Sequence, residues 1–224
     1  MEHFALRCDM GGIVGRLKRL WKQRGPLATV RFVATRVFRH ESHVVYEASL
    51  DRPSPALRWN DGEQLLQVGS ENVDSAITPQ LKKFLGGDQA FECLEGVRNG
   101  DRLFVVSIGS EYVHRGYIMF NTRQSKVIGD GAKAPLIGYC LTAPGARGRG
   151  IYRRALQAEL NYLRENGYNR ALIETRPANV ASRKGIEAAG FTLAWNAEVW
   201  IVLNSLVIQC LRNSNGRRWR ALFV

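Results

Sequence analysis

Thr142-Ala-Pro-Gly-Ala-Arg147-Gly148-Arg149-Gly150-Ile151-Tyr152 joins a short apolar run to a run with helical periodicity. Its residue types suit the binding of a phosphate. The preceding stretch, 134–142, is apolar as in a largely buried strand, whereas Ala155, Leu156, Leu160 and Leu163 recur at helical spacing. The predicted order is therefore strand, glycine turn, helix. At a helix start several N–H groups lack intrahelical acceptors and the peptide dipoles present their positive end. Glycines let the backbone approach an anion closely, and Arg147 and Arg149 add positive charge.

A second constellation follows downstream. Arg170–Thr175 reads as a strand that carries Glu174, and Asn179–Ala189 reads as a helix closed by Gly190, where a left-handed cap is natural. Read from its strand alone, Glu174 is a surface carboxylate paired with Arg170 or Arg176. His114 lies on a predicted strand and is read as structural, and Trp195 and Trp200 as packing residues.

Together the two motifs resemble the GNAT superfamily of acyl-CoA-dependent N-acyltransferases, over about residues 64–206. The first is similar to the family's Arg/Gln-x-x-Gly-x-Gly/Ala pattern, here Arg147 to Tyr152. The second is similar to its Asn-x-x-Ser/Ala helix ending in Gly-Phe, here Asn179 to Ser182 through Gly190-Phe191. The resemblance implies an α/β (α+β) fold with a mixed, mostly antiparallel sheet flanked by helices, and acetyl-CoA as acyl donor with no metal. It implies that Arg147, Gly148, Arg149, Gly150, Ile151 and Tyr152 hold the CoA diphosphate. Cys140, Leu141 and Thr142 would pair with the pantetheine arm, and Asn179 and Ser182 would contact the cofactor. An amine would attack the thioester directly, with Glu174 as base. The family's usual tyrosine proton donor is replaced by Ile186, which leaves Tyr139 or Tyr152 to protonate the departing thiolate. Tyr152 also stands where the family prefers a small residue.

The elements that must position these residues are legible to different degrees. His43–Leu50 and Gln64–Val68 read as strands, Ile77–Leu85 and Gln89–Val97 as short helices. Leu103–Ile108, Glu111–Phe120 and the strand before the glycine turn predict an antiparallel meander, with a polar loop over 121–133. Phe191–Trp195 and Val199–Leu206 predict a terminal strand pair. Three regions result: a basic amphipathic helical extension (1–42), an acyltransferase-like domain (43–206) and a basic C-terminal tail (207–224).

The formal charge of +12 is concentrated at the ends. Residues 1–40 contribute about +7, and the tail adds Arg212, Arg217, Arg218 and Arg220 without an acid. Ile13, Leu17, Leu20 and Trp21, followed by Leu27, Val30, Val33, Ala34 and Val37, predict two helices whose arginines and lysines suit an anionic membrane surface or simply solvent. Nucleic acid is not the expected partner, because Arg-Gly-Arg-Gly occurs once and between ordered elements rather than as a repeat. The four cysteines show no CxxC pair, no signal-like core opens the chain, and the longest apolar run falls short of the roughly 20 residues that cross a bilayer. A reduced, cytoplasmic protein is expected, at most peripheral to the inner face of a membrane. The acceptor is read as a small-molecule amine, such as an amino-sugar or anionic metabolite. The alternatives are a protein N-terminus or lysine, or a non-catalytic CoA-binding module whose basic ends bind membrane or nucleic acid.

Overall fold

A computed structural model of the chain describes residues 37–51, 56–73, 79–120, 122–128, 134–203 and 205–223, with 21, 25 and 26. The sheet's strands are β1 (Phe38–Ser49), β2 (Glu63–Val68), β3 (Arg102–Ile108), β4 (Glu111–Met119), β5 (Leu136–Thr142), β6 (Arg170–Thr175), β7 (Thr192–Val202), β8 (Leu206–Asn213) and β9 (Gly216–Phe223). Its helices are α1 (Pro79–Leu85), α2 (Gly87–Arg98), α3 (Arg123–Ile128), α4 (Ile151–Glu165) and α5 (Val180–Ala188).

All nine strands join in one sheet, in the order β2-β3-β4-β5-β6-β1-β7-β8-β9. Every pairing is antiparallel except β5 with β6. The mixed, mostly antiparallel fold expected from the sequence is the fold observed. Its two faces are covered by different helices. On one side Leu156, Leu160 and Leu163 of α4 and Ile186 of α5 pack on Val44, Tyr46, Ile137 and Ile173. On the other, Leu81, Leu85, Leu94 and Val97 of α1 and α2 pack on Leu103, Val105 and Leu136. Strand side chains alternate between faces, so β5 and β6 send consecutive residues into two separate cores. Truncating a fully buried leucine such as Leu156 to alanine in such a core costs about 2–5 kcal/mol.

Several expected elements differ. The boundary set at residue 42 falls inside β1, which begins at Phe38, and the two predicted N-terminal helices lie almost wholly outside the described residues. The 121–133 segment contains α3, started by Thr122, whose hydroxyl accepts the Ser125 N–H at 3.2 Å. The predicted terminal pair is one strand, β7: Asn196 does not turn the chain but pairs with Val44 and Arg212, and burial continues with period two through Ala197, Val199 and Ile201. The region expected to be a tail supplies β8 and β9, which extend the sheet beyond β7.

Candidate active site

The site is set by where two neighbouring strands part. β5 and β6 pair in parallel only at Leu136 with Leu172 and Ile137 with Ile173, although β5 runs on to Thr142 and β6 to Thr175. Beyond Ile137 the β6-facing edge of β5 is thus not used in the sheet ladder. A bulge accompanies the parting: Tyr139 has φ +51°, and the β4 register shifts between Arg115 and Tyr117. Opposite pairing then resumes at Arg115 with Leu141 and His114 with Thr142.

At the far end of β5 the chain turns through Pro144–Ala146 into the glycine segment. Gly148 and Gly150 adopt φ +76° and +72°, the left-handed region that favours glycine. Gly150 caps α4, whose first closing bond is Arg154 N–H to the Gly150 carbonyl at 3.2 Å. Helix geometry therefore turns the amides of Ile151, Tyr152 and Arg153 out of the helix end. Arg147, Gly148, Arg149 and Gly150 are exposed, and the Arg147 Nε donates back to the Thr142 carbonyl at 3.3 Å. A Cβ built at Gly148 would meet nothing within 4 Å, so the cradle is open on that side. These features fit a diphosphate: outward amides, a positive helix end and arginines beside it.

Residues 88–192, from α2 to the first residue of β7, match the family model described as the acetyltransferase (GNAT) domain. The chain carries a GNAT acetyltransferase domain. A similar structure is that of a Drosophila protein, 16% identical, with a TM-score of 0.50 over 87% of this chain and 59% of that one. Another is an acetyltransferase of the GNAT family from Colwellia psychrerythraea, 15% identical, with a TM-score of 0.50 over 89% and 75%. The chain thus spans less than two thirds of the first of these. No curated protein sequence matches the chain.

Within the GNAT domain, Tyr139 and Glu174 come together on the face that α1 and α2 cover. Burial first, and the Glu174 carboxylate second, push the Tyr139 phenol well above its ordinary range. Glu174 pairs with neither Arg170 nor Arg176. One of its oxygens lies 2.6 Å from His43 Nδ1, and the other accepts from Gln124 Nε2 of α3 at 3.3 Å. Arg170 is instead directed at Glu47, at 3.5 Å. His43 is buried on β1, with Glu41 3.3 Å from its Nε2. Burial pulls the imidazole pKa down, but hydrogen bonds and charge from Glu174 and Glu41 outweigh it and hold the group at about 9.

His43, Glu41 and Gln124 were not singled out from sequence. His43 and Glu41 precede the matched domain by over forty residues, and only the β1–β6 register brings them to Glu174. The signal for Gln124 was the Thr122 cap of α3.

The remaining predicted residues lie on the α4 and α5 side or at the turn. Cys140 packs toward that layer, its Sγ donating to the Gly138 carbonyl at 3.6 Å. Leu141, Ala143 and Pro144 line a groove of about 330 Å³ with Phe84 and Tyr112, on the α1 side of the turn. Thr142 Oγ1 is 2.8 Å from His114 Nδ1, and burial, with Arg115 beside it, lowers the His114 pKa to about 3. His114 is a neutral, structural histidine at ordinary pH. Ile151 is buried in the core. Tyr152 reaches Ser182 instead of crowding the turn, with its hydroxyl 3.2 Å from the Ser182 Oγ. Gly185 makes room for the Tyr152 ring: a Cβ there would lie 2.5 Å from its Cδ1. Asn179 caps α5 by accepting the Ser182 N–H at 3.2 Å, which leaves its Nδ2 amide to donate to a ligand. Ile186 is fully buried. Next to this layer, Glu159 is buried without a hydrogen-bond partner among the described residues, and burial pushes its carboxyl well above the usual carboxylate range. Among the described residues no group of three or more His, Cys, Asp and Glu is placed to hold a metal ion.

Proposed function

We propose that the protein is an N-acyltransferase that moves an acetyl group from acetyl-CoA to a primary amine of a small molecule. The observation that carries this reading is the parting of β5 from β6 between an anion cradle at 147–152 and the Glu174–His43 pair. Acetyl-CoA would supply a thioester carbonyl open to attack by an amine. Its diphosphate would be held by the amides and arginines of 147–152, and its amide-bearing arm by the free edge of β5 at Cys140 to Thr142. Asn179 and Ser182 would flank the arm from α5.

An amine is reactive only when neutral, so the site must take a proton from it. Glu174 is the base, half-buried on the stretch of β6 that has parted from β5. His43 is a positioning residue: its imidazolium fixes one Glu174 oxygen while Gln124 steadies the other. As the C–N bond forms the C–S bond breaks and CoA leaves as a thiolate, to which Tyr139, beside Glu174 and protonated at neutral pH, would donate a hydrogen bond. We place this reaction in the cytoplasm. The test is thiol release from acetyl-CoA over a panel of small amines, with lysine peptides as a parallel arm. Amine-dependent release that Glu174→Gln abolishes supports the reading; CoA binding without release from any amine removes the enzymatic part of it.

A further inference from the structure

The N-terminal half of β1 and the strands β7, β8 and β9 carry a face that no described helix covers. Their register arranges it in rows. Phe38, Val202, Leu206 and Phe223 form the outermost row, and His40, Trp200, Ile208 and Ala221 the next. Ser42, Glu198, Cys210 and Trp219 follow, and then Arg212 opposite Arg217. The outer end is apolar and open: Phe38 is 53% exposed, Phe223 83%, and Leu203, in the β7–β8 turn, 68%. Trp200 stacks between His40 and Trp219, with centroids at 5.1 and 5.6 Å. Along this face the surface therefore grades from aliphatic and Phe side chains, through tryptophans, to arginines.

We propose that this tip docks on an anionic lipid bilayer, with the outer row in the acyl boundary, the tryptophans at the interface and Arg212 and Arg217 among the headgroups. That is the layering a bilayer offers, since its interface favours Trp and its negative surface potential favours arginine. Charge selects the lipid as anionic. The only acid in the rows is Glu198, which His40 and Ser42 already hold at 2.7 Å each. The chain leading into the tip, residues 1–36, adds eight Lys and Arg against two acids. A second copy of the chain fits poorly, because an isologous contact would set its arginines either against each other or against the apolar outer row. Single-stranded nucleic acid fits poorly too, because a stacking platform mixes cations with open aromatic faces, and here the tryptophans stack on each other.

The tip lies at the active-site end of the molecule. Val44 is opposite Thr175 at the end of β6, and Phe38 lies beyond His43 on the same strand, roughly 17 Å further along. Docking would therefore hold the Glu174 end of the gap toward the headgroups, with Glu174 and His43 on the opposite face of the sheet from the docked rows.

The test uses the full chain and flotation with phosphatidylcholine vesicles, with and without phosphatidylserine. Wild type is expected to float only with phosphatidylserine. Phe38→Ser with Leu203→Ser and Phe223→Ser should weaken binding about tenfold or more. Arg212→Glu with Arg217→Glu should weaken it about thirtyfold or more. Circular dichroism, melting temperature and binding of free CoA report that the variants are folded. The proposal is overturned if wild type ignores phosphatidylserine or if the tip variants float as wild type does. It is equally overturned if only charge reversal at Arg16, Lys18, Arg19 and Lys22 releases the vesicles, or if the tip variants dissociate a dimer in place of vesicles.

Discussion

His43 Nδ1 lies 2.6 Å from a carboxylate oxygen of Glu174, across the β1–β6 ladder. The contact joins two residues 131 positions apart and makes a buried imidazolium part of the folded state. Its pKa rises from 6.5 to about 9 on folding, worth about 3 kcal/mol. Because the folded value is the higher one, this stabilisation is complete below pH 6.5, decays between 6.5 and 9, and is gone above 9. Urea unfolding at several pH values should therefore show wild type losing its advantage over His43→Gln across that window. Parallel stability curves for the two proteins would show that His43 is not charged in the fold.

Glu174→Gln keeps the size of the side chain and its contact with His43 but removes the proton acceptor. We expect kcat for thiol release to fall about 10²- to 10⁴-fold, the range of general-base catalysis, with little change in CoA affinity. Wild type should lose activity as pH rises through about 9; His43→Gln should lower kcat less than Glu174→Gln does, and should shift or erase that loss. A pH profile of His43→Gln identical to wild type would remove the positioning role.

What the chain disclosed unaided follows from how local the signals are. The glycine turn, α4 and the helix from Asn179 to Gly190 were legible because glycines and helical periodicity act over a few residues. Asp-free stretches of Arg and Trp after residue 206 looked like a tail because β9 exposes every second residue on one face and half-buries only Arg220 and Leu222 on the other. The His43–Glu174 pair was hidden for a different reason. It depends on β1 entering the sheet between β6 and β7, a topological choice that leaves no mark near His43 itself. Glu174 was recognised as a chemical residue, but its partner could only be named once that register was known.

The cradle makes separable demands on backbone and charge. Gly148→Ala has room for its methyl group, yet must adopt φ +76°, so it should cost about 1 kcal/mol of stability in thermal unfolding. Arg147→Glu and Arg149→Glu should barely alter stability, because both residues are exposed, but should weaken CoA about tenfold or more by calorimetry. Pantetheine lacks the diphosphate and should bind these variants as it binds wild type. Equal weakening of CoA and pantetheine would place the diphosphate elsewhere.

Tyr152 and Gly185 fit closely between α4 and α5. A methyl group on Gly185 would drive into the Tyr152 ring edge, 2.5 Å from Cδ1, so Gly185→Ala should destabilise the protein by about 1–3 kcal/mol. The cost should be smaller by at least about 1 kcal/mol in a Tyr152→Ala background, where the ring is gone. Tyr152→Phe keeps the ring and loses only the hydroxyl contact with Ser182, so Gly185→Ala should remain as costly there as in wild type. Denaturant unfolding of the four combinations with Ala, and the two with Phe, measures this directly. Additive effects of Tyr152→Ala and Gly185→Ala would mean that the ring does not rest on Gly185, and that the large residue in the turn is accommodated some other way.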